Sequence, residues 1–131
     1  MPNRAFDWFR QAKRDLEQAR DSKRAGRHEY ACFAAQQSAE KAVKALHLHL
    51  GQEAWGHVVA KLLRELPGNL WVPPDLINKT RVLDSYYIPP RYPYCHCHPE
   101  LTPFEHYGEL QSREAIRYAD EVFAFVSVQM A

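Results

Sequence analysis

The sequence predicts an all-α fold, an up-and-down helical bundle of four main helices plus a shorter helix. Three observations carry this. Apolar residues recur at three- and four-residue steps through most of the chain, and glycine or proline stands where each such run stops. No segment keeps the period-two alternation of a half-buried strand.

The first helix is expected over about 3–25, with Trp8, Ala12, Leu16 and Ala19 on one face, charge on the other, and Gly26 as its stop. A second, over 28–50, carries Cys32, Ala35, Ala39, Val43, Leu46 and Leu50 along a stripe and ends at Gly51. The short connection makes the two an antiparallel hairpin. Helix three, near 56–66, presents Val59, Leu62, Leu63 and Leu66 and stops at Pro67-Gly68. Pro73 and Pro74 suit the opening turn of a fourth helix, in which Leu76, Thr80, Leu83 and Tyr87 share a face and which ends before Pro89. Five of the nine prolines fall in 88–103, so this segment is expected to be an ordered loop with extended pieces rather than helix. The last helix starts at Phe104 or Tyr107, reaches Met130, and turns Ala115, Ala119, Val122 and Val126 inward.

A chain of 131 residues, 46% hydrophobic, suits a single domain over 1–131 with one sizeable core. No apolar run approaches the roughly 20 residues that cross a bilayer, so no membrane association is expected. The N-terminal stretch lacks the apolar core and cleavage site of a secretory signal, and three cysteines make no disulfide framework, so a cytoplasmic setting is expected. Residues 1–27 hold eight Lys/Arg against four Asp/Glu, a local charge of +4 that the rest of the chain, at −3, nearly cancels. That bias gives a solvated basic face or a surface for a polyanion. Phosphate-binding glycine loops, dinucleotide fingerprints, nucleophile elbows and zinc-protease motifs are all missing, and no cofactor is expected.

One strip stands out. RYPYCHCHPE, residues 91–100, packs an arginine, two cysteines and two histidines between prolines. Arg91 offers a guanidinium fork for a phosphate or a carboxylate, and Tyr87 and Tyr92 offer stacking faces. Alternatively, Arg91 pairs with Asp84 and fastens the loop to its own helix. Cys95, His96, Cys97 and His98 are competent metal ligands, giving a structural metal-binding or interaction module as an alternative. An extended strip sends the cysteines to one side and the histidines to the other, so closure needs His106, Cys32 or a second subunit; no metal site is assigned. Elsewhere, His47 and His49 point about 200° apart on a helix and read as surface or boundary residues. His57 stays a secondary binding candidate. Gln36, Gln37, Glu40, Lys41 and Lys44 read first as a solvated face, or as a groove where Lys41 and Lys44 add positive charge for phosphate.

The stretch YACFAAQQSAEKAVKALHLHLG, then GHVVAKLLREL, then LDSYYIPPRYP, resembles the bacterial and archaeal HEPN family. The most telling residues are Gln36, Gln37, Glu40, Lys41, the Gly56-His57 step, and Leu83, Asp84 and Tyr87 followed by Arg91-Tyr92-Pro93. The resemblance implies a helical bundle, usually a homodimer, associated with nucleotide or RNA and often encoded beside a minimal nucleotidyltransferase partner as a toxin-antitoxin pair. Many members of the wider superfamily cut RNA without a metal through an arginine followed, after four to six intervening residues, by a histidine. Arg91 stands four intervening residues before His96 and six before His98, which makes these three the catalytic candidates of an endoribonuclease reading; Tyr92 and Pro93 depart from the short polar residue and helix that usually follow the arginine. The nucleotide- or RNA-binding candidates are Asp84, Tyr87, Arg91, Tyr92, Lys41, Lys44 and His57.

Overall fold

The computed structural model describes residues 3–92 and 101–131, and among these there is no strand. The helices are α1 (Ala5–Arg24), α2 (His28–His49), α3 (Val59–Arg64), α4 (Pro74–Asp84), α5 (Pro103–His106) and α6 (Glu109–Met130), with one 3-10 turn at Pro89–Arg91. The four long helices run up and down. Ser38 on α2 donates from Oγ to the carbonyl of Ala12 on α1 at 2.7 Å, and Asn3 reaches the carbonyl of Leu48, so α1 and α2 are antiparallel. Lys79 lies 2.8 Å from Glu121, and Tyr86 meets Tyr107 edge-on at 5.8 Å, so α4 opposes α6.

The first two helices stop as glycine geometry requires. Gly26 and Gly51 have φ of +77° and +82°, a conformation that disfavours any side chain. After each, the next amide reaches back across the final turn: Arg27 N–H to the Ser22 carbonyl at 2.8 Å, Gln52 N–H to the His47 carbonyl at 3.0 Å. Pro74 opens α4 at a position where its missing N–H has no intrahelical partner to lose. Within the proline-rich region, the described residues include more helix than the sequence suggests. Pro89–Arg91 closes a 3-10 turn, and Pro103 opens α5, which the Thr102 and Glu105 side chains cap.

The centre of the bundle is α2, which touches α1, α3, α4, α5 and α6. The single stripe expected of it is therefore too narrow. Ala31, Ala34, Ala42 and Ala45 are buried along with Cys32, Ala35, Ala39, Val43 and Leu46, because neighbours cover the helix on several sides. Leu50, expected on the stripe, lies beyond the last turn and is exposed, and Trp8 on α1 is only partly covered while Ala5 holds the buried place a turn earlier. His47 is a further correction. It is buried, donates from Nε2 to the Leu62 carbonyl at 2.8 Å and accepts at Nδ1 from the Gln52 amide at 2.6 Å, which fixes its tautomer. His49 is exposed, as expected.

Small side chains let α1 and α2 approach closely enough for a serine hydroxyl to reach the opposite backbone. Ala12, whose carbonyl takes that bond, is fully buried. Replacing Ala12 with Leu is expected to force the helices apart and to lower stability by about 1–3 kcal/mol, measured as a shift in the midpoint of chemical denaturation with helical circular dichroism preserved in the native baseline.

Candidate functional site

Asp84, at the end of α4, sets the geometry of the site. Its two carboxylate oxygens accept the backbone N–H of Val59 at 2.7 Å and of Ala60 at 3.1 Å, capping the otherwise unpaired start of α3. The cap comes from a helix 25 residues away in sequence. Asp84 therefore does not pair with Arg91, and no ion pair joins the two among the described residues. Burial pushes the Asp84 carboxyl above its ordinary range, against the lowering effect of the two backbone bonds. A carboxyl raised in the fold binds its proton more tightly folded than unfolded, so its ionisation subtracts stability as pH rises through its range.

This clasp holds together the segment that ends with His57 and the segment that begins at Ser85. Across the resulting junction the rings assemble. His57 stacks on Tyr87 with centroids 4.4 Å apart and planes 17° from parallel. Tyr87 also meets Phe33 of α2 at 6.2 Å. The Arg91 guanidinium lies 4.3 Å from the Phe33 ring centre, 4.8 Å from that of Tyr87 and 5.3 Å from that of Tyr92. Its Nε donates to the Tyr87 carbonyl at 2.9 Å, an attachment that the 3-10 turn brings within reach. Among the described residues no carboxylate forms an ion pair with Arg91. The contacts are those of a cation held against aromatic faces.

Beneath the rings lies a polar row on α2. Gln36, Glu40 and Lys44 follow at four-residue steps, and the expectation of a solvated face fails for the first two, which are buried. Gln36 donates to the His57 carbonyl at 3.0 Å, and Glu40 accepts from His57 Nδ1 at 3.0 Å and from Lys44 Nζ at 3.0 Å. Lys44 thus joins the site through Glu40, with its ammonium 5.9 Å from the Trp8 ring centre. Lys41 turns the other way and bonds Asp15 of α1 at 2.6 Å. Both lysines are neutralised locally by carboxylates. A hollow of about 380 Å³ between α1 and α2 is bordered by Lys41, Arg27, Tyr30 and Phe33, and Phe33 connects it to the arginine cluster.

Asp84, Tyr87, Arg91, Tyr92 and His57 are thus brought together, Lys44 sits behind them, and Lys41 belongs to the adjoining hollow. Phe33 and Glu40 are members of the cluster although the sequence singles out neither as a site residue; the four-residue spacing of Gln36, Glu40 and Lys44 is the signal that points to the second. His96, His98, Cys95 and Cys97 lie outside the described residues. Cys32 is unsuited to help them as a ligand: it is buried in the core, and burial pushes its thiol up to about 12, so it stays protonated. Among the described residues no three histidine, cysteine or acidic side chains gather as a metal would need.

The fold is an up-and-down helical bundle in which the α2 glutamine-glutamate row underlies an aromatic-held arginine. The HEPN domain family model matches residues 5–129, and the chain belongs to that family. It is similar to TT1696 from Thermus thermophilus, with 47% identity, a TM-score of 0.94 and coverage of 98% of this chain and 99% of that one. ST0689, an archaeal HEPN homologue, is 38% identical with a TM-score of 0.82 over the whole of both chains. A HEPN domain protein of Thermotoga maritima, tm0613, is 31% identical with a TM-score of 0.75, covering 93% of this chain and 95% of that one. Comparison with curated proteins gives no match.

The Asp84 clasp supplies a direct test. Asp84→Ala leaves the Val59 and Ala60 amides without their acceptor and is expected to cost about 1–2 kcal/mol in denaturant titrations. Asp84→Asn keeps one acceptor oxygen and has no charge to bury, so it should remain within about 1 kcal/mol of the parent at neutral pH and lack the Asp84 contribution to the pH dependence of stability.

Proposed function

We propose that this HEPN protein binds a nucleotide or RNA at the Arg91 cluster and acts with a minimal nucleotidyltransferase partner in a toxin-antitoxin-like pair, in the cytoplasm. The observation that carries the binding reading is the guanidinium of Arg91 lying against Phe33, Tyr87 and Tyr92 without a carboxylate ion-pair partner among the described residues. Such a group meets a phosphate through its N–H fork, while the tyrosines offer faces on which bases stack whatever their sequence. The adjoining hollow of about 380 Å³ is large enough for a base and sugar and carries Arg27 at its rim, while the Lys41 there is paired with Asp15. The partner is supported by membership of the HEPN family together with the resemblance set out above.

Binding is tested with a fluorescently labelled single-stranded oligoribonucleotide. Arg91→Ala is expected to weaken binding at least tenfold, roughly the 1–3 kcal/mol of one stacked or phosphate contact, with the far-ultraviolet circular dichroism unchanged. Arg91→Lys restores charge but not the planar fork, and should recover only part of the loss. Unchanged affinity in Arg91→Ala sinks the assignment.

Homodimerisation is part of the same reading. Phe6, Tyr30, Trp55, Trp71, Phe104 and Leu110 are all exposed in the single chain, more apolar surface than one small helical bundle needs to leave uncovered. Sedimentation velocity at micromolar concentration should give about twice the chain mass of 15.3 kDa. A single species at the chain mass argues against it.

A further inference from the structure

A hollow of about 220 Å³ opens where the start of α1, the last turns of α2 and the connection from α2 to α3 meet. It is lined by the indoles of Trp8 and Trp55, by Leu48 and Ala54, and by two charged side chains, Lys44 and Glu53. Trp55 is 79% exposed, and among the described residues its indole makes no hydrogen bond and no ring contact. It is a large apolar side chain that the fold leaves in water. The backbone that carries it is nonetheless anchored on both sides. Gln52 bonds His47 Nδ1 at 2.6 Å, His57 bonds Glu40 at 3.0 Å, and Gly56, with φ of +96°, turns the chain directly after the indole. A ring presented on an anchored connection costs an incoming ligand little ordering.

The two charges select the ligand. The Lys44 side chain is only 14% exposed; one of its three N–H groups goes to Glu40 at 3.0 Å, and its ammonium lies 5.9 Å from the Trp8 ring centre. Its other two N–H groups meet no acceptor among the described residues. Glu53 is exposed and, among the described residues, forms no ion pair with Lys44 or with any other cation. A ligand with a single charge of either sign therefore meets a like charge in the same hollow. An ammonium and a carboxylate attached to one carbon complement both, the carboxylate turned to Lys44 and the ammonium to Glu53. The indoles favour a ring, because aromatic pairs gain more than the area they bury. The volume sets the size: it lies below the roughly 300–1,000 Å³ of drug-sized sites, which leaves room for one ring and a short polar head. We propose that this hollow is a binding site for a free aromatic α-amino acid, held by its zwitterionic head between Lys44 and Glu53 and by its ring against Trp8 and Trp55. The site is separate from the Arg91 cluster and requires no nucleic acid.

The chain has three tryptophans, so proton–nitrogen spectra of the full protein report on the hollow through the indole N–H signals, with Trp71, which does not line it, as the internal control. The probe is L-phenylalanine, which brings no indole of its own. The signals of Trp8 and Trp55 are expected to move saturably with a Kd on the order of 1 mM, as suits a small ligand in an open site, while that of Trp71 stays in place. 3-Phenylpropionate, which lacks the ammonium, and phenethylamine, which lacks the carboxylate, should each bind about fivefold more weakly or worse; alanine, which lacks the ring, should not saturate. Two exposed positions give variants that leave the core intact. Glu53→Gln should remove the preference for phenylalanine over 3-phenylpropionate, and Trp55→Ala should weaken phenylalanine about fivefold or more, followed on the Trp8 signal. Arg91→Ala should leave phenylalanine affinity unchanged, whatever it does to RNA. No movement of either signal at about 10 mM, tenfold above the expected constant, overturns the proposal. So does equal binding of the two singly charged analogues, or affinity that survives Trp55→Ala. If the same two signals respond to an oligoribonucleotide or to dilution of the protein but not to phenylalanine, the hollow belongs to RNA or to a second copy of the chain, and the assignment is wrong.

Discussion

A helix enclosed on several sides must find internal partners for every polar side chain it buries, and α2 buries four: Gln36, Ser38, Glu40 and His47. Each unsatisfied group costs on the order of 1–3 kcal/mol, so the partners become fixed points of the fold. Ser38 takes the backbone of α1, His47 takes the backbone of α3, and Gln36 and Glu40 together take the backbone and ring of His57. The apolar surface of α2 brings its neighbours close, but it is these directional bonds that determine where along α2 each neighbour sits. The chain between α2 and α3 is held at both its ends by them, with Gln52 on His47 and His57 on Glu40.

The sequence reveals those features that depend on local spacing. Apolar periodicity located the four long helices to within a few residues, because Gly26, Gly51 and Pro74 mark boundaries through backbone geometry alone. What it does not reveal depends on which faces find neighbours. Leu50 lies past the end of its helix, Trp8 at the rim of the α1 face, and His47 within reach of a carbonyl on α3, and no count of three- and four-residue steps distinguishes these cases. The glutamine and glutamate of α2 look like a solvated edge in the sequence because polarity is visible there and tertiary hydrogen bonds are not.

The candidate site divides in the same way. Arg91, Tyr87 and Tyr92 lie within six residues of one another in the chain, and their association is legible because a short turn brings them together. Phe33 and Glu40 come from the far side of the junction and enter only through packing. Asp84 is legible as important but not in its role: an acid two helical turns before an arginine suggests an ion pair, whereas the start of α3 claims both of its oxygens. A half-buried arginine can hold itself over aromatic rings without a carboxylate beside it, but a buried helix start cannot forgo acceptors for its amides.

The attachment of Arg91 to its own turn bears on conformational entropy. An arginine free in solvent samples many rotamers, and fixing one costs up to about 2 kcal/mol. Here the flat face rests on three rings and Nε is bonded to the Tyr87 carbonyl, so much of that freedom is surrendered when the chain folds. The terminal nitrogens of the fork are held on a side chain that is already nearly stationary. An anion arriving there meets a preorganised group, and the free energy of their contact is correspondingly less diluted by the cost of ordering the arginine.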